Sequence, residues 1–189
     1  MKTDIILCGV GGQGILKIAT VIGEAAARAG ICLKQAEVHG MSQRGGDVQS
    51  NLRLSTEPIW SDLIPCGKVD LIISMEPMEA LRYVSQLSPE GTVVTACRPF
   101  VNIPNYPEEE AVQQALDALP HCVKIDIEEA AKKAGNPRCA NIALLAAASP
   151  YLQILGTEYI KEAMRTVFAP KGEAVIEANL RCFDQVTGR

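Results

Sequence analysis

The feature that most limits what this chain can fold into lies near its start. Ile5-Ile6-Leu7-Cys8 is an apolar run of strand length, Gly9-Val10-Gly11-Gly12-Gln13-Gly14 follows at once, and a helix-period pattern begins at Ile15. Gly9, Gly11 and Gly14 satisfy G-x-G-x-x-G in the strand–turn–helix setting that gives the motif meaning. Glycine tolerates positive φ and lets another backbone or a ligand approach closely. The first N–H groups of the helix lack partners and sit at the positive end of its dipole, so the loop can hold a phosphate or a carboxylate. It can equally receive a partner's backbone, or serve only as a tight turn.

Strand, loop and helix then alternate along the chain, which predicts an α/β fold. A helix is expected over 14–29, with Ile15, Ile18, Ala19, Ile22 and Ala26 on one face. Gly30 is its stop, and a strand over 32–38 completes a strand–helix–strand unit whose strands run parallel. Residues 47–55 alternate as a half-exposed strand, with a short antiparallel partner expected near Ile59-Trp60, an insertion in an otherwise doubly wound sheet. Further strands are expected over 69–74, 92–96 and 122–125. Helices are expected from Pro77 to about Leu87 and over 108–119, 127–134, 140–148, 158–168 and 171–186. Residues 88–91 read as a turn and 98–107 as an irregular surface loop. The expected architecture is a Rossmann-like three-layer sandwich. Its sheet is mostly parallel with an antiparallel insertion, and helices cover both faces. One domain over 1–189 suits the length of 189 residues.

Composition narrows the function. A net charge of −4 leaves no basic footprint for nucleic acid. No segment has the length and apolarity of a signal peptide or a membrane span, so the cytoplasm is expected and a membrane is not. The seven cysteines include no C-x-x-C pair, which argues against an iron–sulfur or zinc site made by this chain alone. Cys8, Cys97 and Cys122 lie in apolar runs and read as small buried hydrophobes.

A second glycine-rich segment, Glu37-Val38-His39-Gly40-Met41-Ser42-Gln43-Arg44-Gly45-Gly46, follows the second strand. It falls at the strand C-termini, the rim where open α/β sheets bind ligands and partners. Arg44 offers a planar guanidinium to a carboxylate or phosphate, Ser42 and Gln43 add neutral donors, and Gly45 and Gly46 keep the loop thin. Against this stands a solvated loop with no further task. His39 has no evident nucleophile beside it and reads as a base or as a hydrogen-bonding loop residue. Glu37 orients His39, caps a backbone group, or supplies the acid that a dinucleotide's ribose requires. Arg53 is expected in solvent or paired with Glu37 or a partner's acid. Asn141 is expected at a helix start or in a buried hydrogen bond.

These two segments together resemble the gamma-type subunit or domain of 2-oxoacid:ferredoxin oxidoreductases. The second motif is the more diagnostic. Asn141 opening a small-residue helix, Pro170-Lys171, and Asn179-Leu180-Arg181-Cys182-Phe183 also look like this family. A free-standing chain of this length is most similar to the beta subunit of the indolepyruvate:ferredoxin type. The resemblance implies a heteromeric enzyme, inactive as this chain alone, that oxidises a 2-oxoacid of the indolepyruvate or arylpyruvate kind to acyl-CoA and CO2. It implies thiamine diphosphate, Mg and 4Fe–4S clusters on a large alpha subunit, with ferredoxin reached through the complex and coenzyme A as co-substrate. No cofactor, metal or catalytic residue is expected on this chain by itself, and a homodimer is possible in isolation. Gly9, Gly11, Gly12, Gln13, Gly14, Ser42, Gln43, Arg44, Gly45 and Gly46 are the expected cofactor- or partner-facing residues, supported by Glu37, His39 and Asn141. Two other readings stay open: a self-sufficient nicotinamide- or flavin-binding oxidoreductase, and a binding module with no redox role.

Overall fold

The computed structural model describes residues 1–39 and 45–188, with His39 described by its backbone alone. Ser42, Gln43 and Arg44 therefore lie outside the described residues. Strands β1 (Lys2–Val10), β2 (Cys32–His39), β3 (Asp47–Ser55), β4 (Val69–Ser74), β5 (Leu87–Ala96) and β6 (Cys122–Ile125) form one sheet in the order β2-β3-β1-β4-β5-β6. The pairs β1/β4, β4/β5 and β5/β6 are parallel, whereas β3 lies antiparallel to both β1 and β2. The insertion is thus a whole strand inside the sheet. β1 and β2 run the same way, but β3 separates them.

The central strands are apolar on both sides because both sides are covered. On one face Ile5, Leu7, Leu52, Leu71, Ile73 and Val94 meet α1 (Ile15–Arg28) and α5 (Ala140–Ala148). α4 (Ile127–Lys133) joins that core, and α6 (Thr157–Phe168) and α7 (Glu173–Thr187) pack outside α1 and α5. On the other face Ile6, Cys8, Ile72 and Val93 meet α2 (Pro77–Arg82) and α3 (Glu109–Asp117). α1 has the expected stripe, since Ile15, Ile18, Ala19, Ile22 and Ala26 are all buried. Each isoleucine so enclosed contributes about 1.5–3 kcal/mol of burial. α5 is buried nearly all round, as its uniform small apolar sequence implies.

Five expectations need correction. The helix from Pro77 ends at Arg82, and Leu87 already belongs to β5. The expected turn over 88–91 is instead the irregular start of that strand. Pairing jumps from Val69–Leu87 to Leu71–Thr92, and a Cβ on Gly91 would meet the Val69 carbonyl at 2.8 Å. The extra residues are absorbed as a bulge against β4, which only glycine allows at that approach. No strand forms at Ile59-Trp60 among the described residues, and Trp60 is exposed.

Arg53 is neither solvated nor paired with Glu37. It reaches across to the buried Asp4 (Nε–Oδ1 2.8 Å) and donates through Nη1 to the Ser61 and Leu63 carbonyls at 3.1 and 2.9 Å. The Asp4–Arg53 register of β1 and β3 puts the pair directly opposite. The last correction concerns the thiols. Cys97 and Cys122 are half-buried, while the buried ones are Cys8, Cys139 and Cys182.

Candidate functional site

The parallel strands deliver their C-terminal ends to one rim, and both described glycine segments lie there. Val10 ends β1 and Asp47 begins β3 directly opposite it. From that shared edge the two loops stay joined. The Gly11 N–H donates to the Gly46 carbonyl at 2.8 Å, and the Gly45 N–H reaches the Gly11 carbonyl at 3.4 Å. The backbones lie against one another with no side chain between them.

The first loop is braced from inside. The Gln13 amide is engaged within the loop while the residue also lines the adjoining cleft. Its Oε1 accepts from the Val10 N–H at 2.7 Å and its Nε2 donates to the Met75 carbonyl at 3.3 Å, tying the loop to the end of β4. Gly9 is required by crowding, because a Cβ there would sit 2.8 Å from the Ile15 Cδ1 and 3.0 Å from the Met75 Cβ. Gly14 caps α1 in the left-handed region at φ 89°, and a Cβ would lie 2.9 Å from the Asn141 Nδ2. Asn141 donates from that atom to the Gly14 carbonyl at 3.4 Å, so the two ends of a long sequence separation meet at this loop.

Glu37 stands apart. It lies opposite Ser50 on β3, and Ser50 lies opposite Leu7 on β1. Two strand spacings, about 10 Å, separate Glu37 from the strand that carries the glycine loop. Its carboxylate accepts from the Gln35 Nε2 at 2.5 Å. The acid that should bind a ribose beside the first glycine loop is therefore displaced, and this disfavours the dinucleotide reading.

Beside the first loop opens a cleft of about 550 Å3, within the size range of small-molecule sites. Gly12 and Gly14 form one wall, with Phe100, Arg138 and Asn141 around it. Two guanidinium groups line it. Arg98 is committed to Asp126 at 2.5–2.8 Å. The Glu129 N–H and the Arg98 guanidinium hold the Asp126 carboxyl below the usual carboxylate range. Arg138 forms no ion pair among the described residues and is the cation available to an anionic ligand. Among the described residues, no three His, Cys, Asp or Glu side chains are grouped to hold a metal. No helix among the described residues is long and apolar enough to cross a membrane.

Sequence reasoning missed the carboxylates of α2. Glu76, at the end of β4, is buried. Its Oε2 accepts from the Glu79 N–H at 2.8 Å, and its Oε1 accepts from the Phe100 N–H at 3.3 Å and from the Tyr106 hydroxyl. Burial and this bond to Glu76 push the Tyr106 phenol up. Glu79 is also buried; burial raises its carboxyl above the usual range, and Arg82 at 2.9 Å offsets this in part. Burial pushes the nearby Cys8 thiol up to about 12. The only sequence signal nearby was the helix expected to start at Pro77.

A family model described as pyruvate ferredoxin/flavodoxin oxidoreductase matches residues 4–187. The chain is similar to the indolepyruvate oxidoreductase subunit IorB of Thermococcus kodakarensis, 38% identical over 190 residues, covering 96% of this chain and 92% of that one. Its fold matches the gamma subunit of a keto/oxoacid ferredoxin oxidoreductase from Geobacter sulfurreducens with a TM-score of 0.75 at 21% identity, covering 100% of this chain and 95% of that one. It also matches part of a 2-oxoglutarate:ferredoxin oxidoreductase from Magnetococcus marinus, solved with 2-oxoglutarate, coenzyme A and succinyl-CoA. There the TM-score is 0.76 at 22% identity, over 99% of this chain and 30% of that one.

Proposed function

From the premise that this chain belongs to the pyruvate ferredoxin/flavodoxin oxidoreductase family, we propose that it is the non-autonomous subunit of a 2-oxoacid:ferredoxin oxidoreductase whose glycine-built rim docks the large catalytic subunit. The observation that carries this reading is the direct bond between the two loops, Gly11 N–H to Gly46 carbonyl at 2.8 Å. It makes one thin, continuous backbone surface at the C-terminal edge of the sheet. A surface without side chains lets a partner's backbone or cofactor approach closely.

Thiamine diphosphate with its Mg and the 4Fe–4S clusters are assigned to the partner, together with the contact to ferredoxin. Those groups supply the oxidative decarboxylation when the complex is assembled. The residues of this chain position and enclose. Gln13 and Asn141 hold the first loop rigid, so Gly11, Gly12 and Gly14 meet the partner in a fixed shape. Gly45 and Gly46 continue the same surface, and Ser42, Gln43 and Arg44 are assigned a contact with the partner or its cofactor on their chemistry alone. His39 and Glu37 support the second loop. The adjoining cleft fits an anionic part of coenzyme A. Its volume is adequate, and Arg138 supplies an uncommitted charge beside the N-terminus of α1. The name of the Thermococcus kodakarensis relative points to indolepyruvate or another arylpyruvate as substrate. The site of action is the cytoplasm.

Co-expression with the large subunit tests this. The two chains should co-purify and reduce ferredoxin with indolepyruvate and coenzyme A, while this chain alone shows no turnover. Calorimetry of the isolated chain should show no heat with NAD(H), NADP(H) or FAD. Tight dinucleotide binding, or full activity of the large subunit without this chain, would overturn the reading.

A further inference from the structure

The stretch 98–107 has no regular secondary structure, yet it is fastened at several points. Arg98 is bound to Asp126 at one end. The Phe100 N–H and the Tyr106 hydroxyl, six residues apart, both donate to the same oxygen of the buried Glu76. Between them Asn102 donates from its Nδ2 to the Gly45 carbonyl at 2.8 Å. A loop left to solvent would have no reason for a buried carboxylate at its base, since burying a charge is costly unless it is fully hydrogen-bonded. Both oxygens of Glu76 are used, one on the N-terminus of α2 and one on this strap.

The strap is held in place, but its crown is apolar and uncovered. Phe100 is 49% exposed and Val101 66% exposed. The strap runs beside both glycine segments. Phe100 lines the cleft with Gly11, Gly12 and Gly14, while Asn102 sits on Gly45. A body that covers both glycine loops cannot avoid the residues running beside them.

We propose that the Phe100–Val101 crown is the apolar anchor of the interface with the large subunit, and that Glu76 is the positioning residue that presents it. That role presupposes the docked rim proposed above. The large subunit is the occupant because the crown is continuous with that rim, and an apolar anchor in a stiff frame suits a lasting contact between subunits. The fastening explains how an irregular segment can serve: its ordering entropy is met on folding, before the partner arrives.

The test uses the co-expressed complex. Phe100→Ser with Val101→Ser should weaken association with the large subunit about tenfold or more, as loss of a central anchor does. The melting temperature of the isolated chain should stay unchanged, since neither side chain is buried. Glu76→Gln places an amide among three donors. It should weaken association similarly and raise the hydrogen-exchange rate of residues 100–106, while circular dichroism keeps its native shape. Tyr106→Phe removes one fastening and should give a smaller effect in the same direction. A wild-type chain that forms the complex, with the double substitution leaving its affinity unchanged, would overturn the anchor and leave the docking reading intact. A wild-type chain that forms no complex would defeat the docking reading itself. Loss of binding in Glu76→Gln without faster exchange of the strap would remove Glu76 from the positioning role.

Discussion

Gly14→Ala tests the built geometry of the first loop, and its cost can be worked from two contributions. Gly14 has φ 89° and ψ 25°, in the left-handed region. Placing alanine there costs about 1–2 kcal/mol of backbone strain. The new methyl would also lie 2.9 Å from the Asn141 Nδ2. That atom ends a flexible side chain and can swing away, but the swing breaks its bond to the Gly14 carbonyl. The bond is long, at 3.4 Å, and its loss is worth about 0.5–1 kcal/mol. The sum is about 1.5–3 kcal/mol, or a fall in Tm of roughly 3–12 °C for a chain of this size. Asn141→Ala alone should cost about 0.5–1 kcal/mol. In the Gly14→Ala background it should cost almost nothing, because the methyl has already displaced the amide. Urea unfolding of the four proteins, followed by circular dichroism, measures this cycle. Equal costs for Asn141→Ala in both backgrounds would refute the contact, and a Gly14→Ala cost near zero would refute the strained cap.

Other consequences follow from the buried polar groups. Arg53→Met leaves the buried Asp4 with Lys2 alone and should cost about 3 kcal/mol in urea, whereas Lys2→Met should cost far less. Burial raises the Glu79 carboxyl in the folded state above its unfolded value. Its contribution is therefore fully present at acidic pH and lost as pH rises from the ordinary carboxylate range through the higher folded value. Glu79→Gln should remove that slope from a plot of unfolding free energy against pH. Under native alkylation at mildly alkaline pH, Cys32 and Cys66 should label first, because they are exposed. Cys8, buried and pushed up to about 12, should label only after unfolding, as mass spectrometry of the digest will show.

The alternation of strands and helices was legible because each element carried its own period and its own punctuation. Ile15 to Ala26 repeats at helical spacing and ends at Gly30, whose φ is +67°. What could not be read was pairing across the sheet. Nothing local to Asp47–Ser55 says that this strand enters between β1 and β2, and that placement carries Glu37 away from the glycine loop. Arg53 was misjudged for the same reason, since its partner Asp4 is a neighbour only through register. Ser88-Pro89-Glu90-Gly91 has the composition of a turn, and the structure uses it as a bulge against Val69. The glycine loops were legible as close backbone turns at the strand ends because glycine tolerates positive φ and close approach. Their direct bond was not, nor was the strap, whose fastening depends on Glu76 meeting Phe100 and Tyr106 from another part of the chain.

Hydrogen exchange measured on this chain alone and again in complex with the large subunit tests the docking rim most directly. Amides of residues 11–14, 45–46 and 100–102 should slow by about tenfold or more on association, the scale expected when a solvent-facing backbone becomes part of a stable interface. A complex that forms and leaves those amides unchanged, with protection instead on the outer face of α6 and α7, would contradict the account.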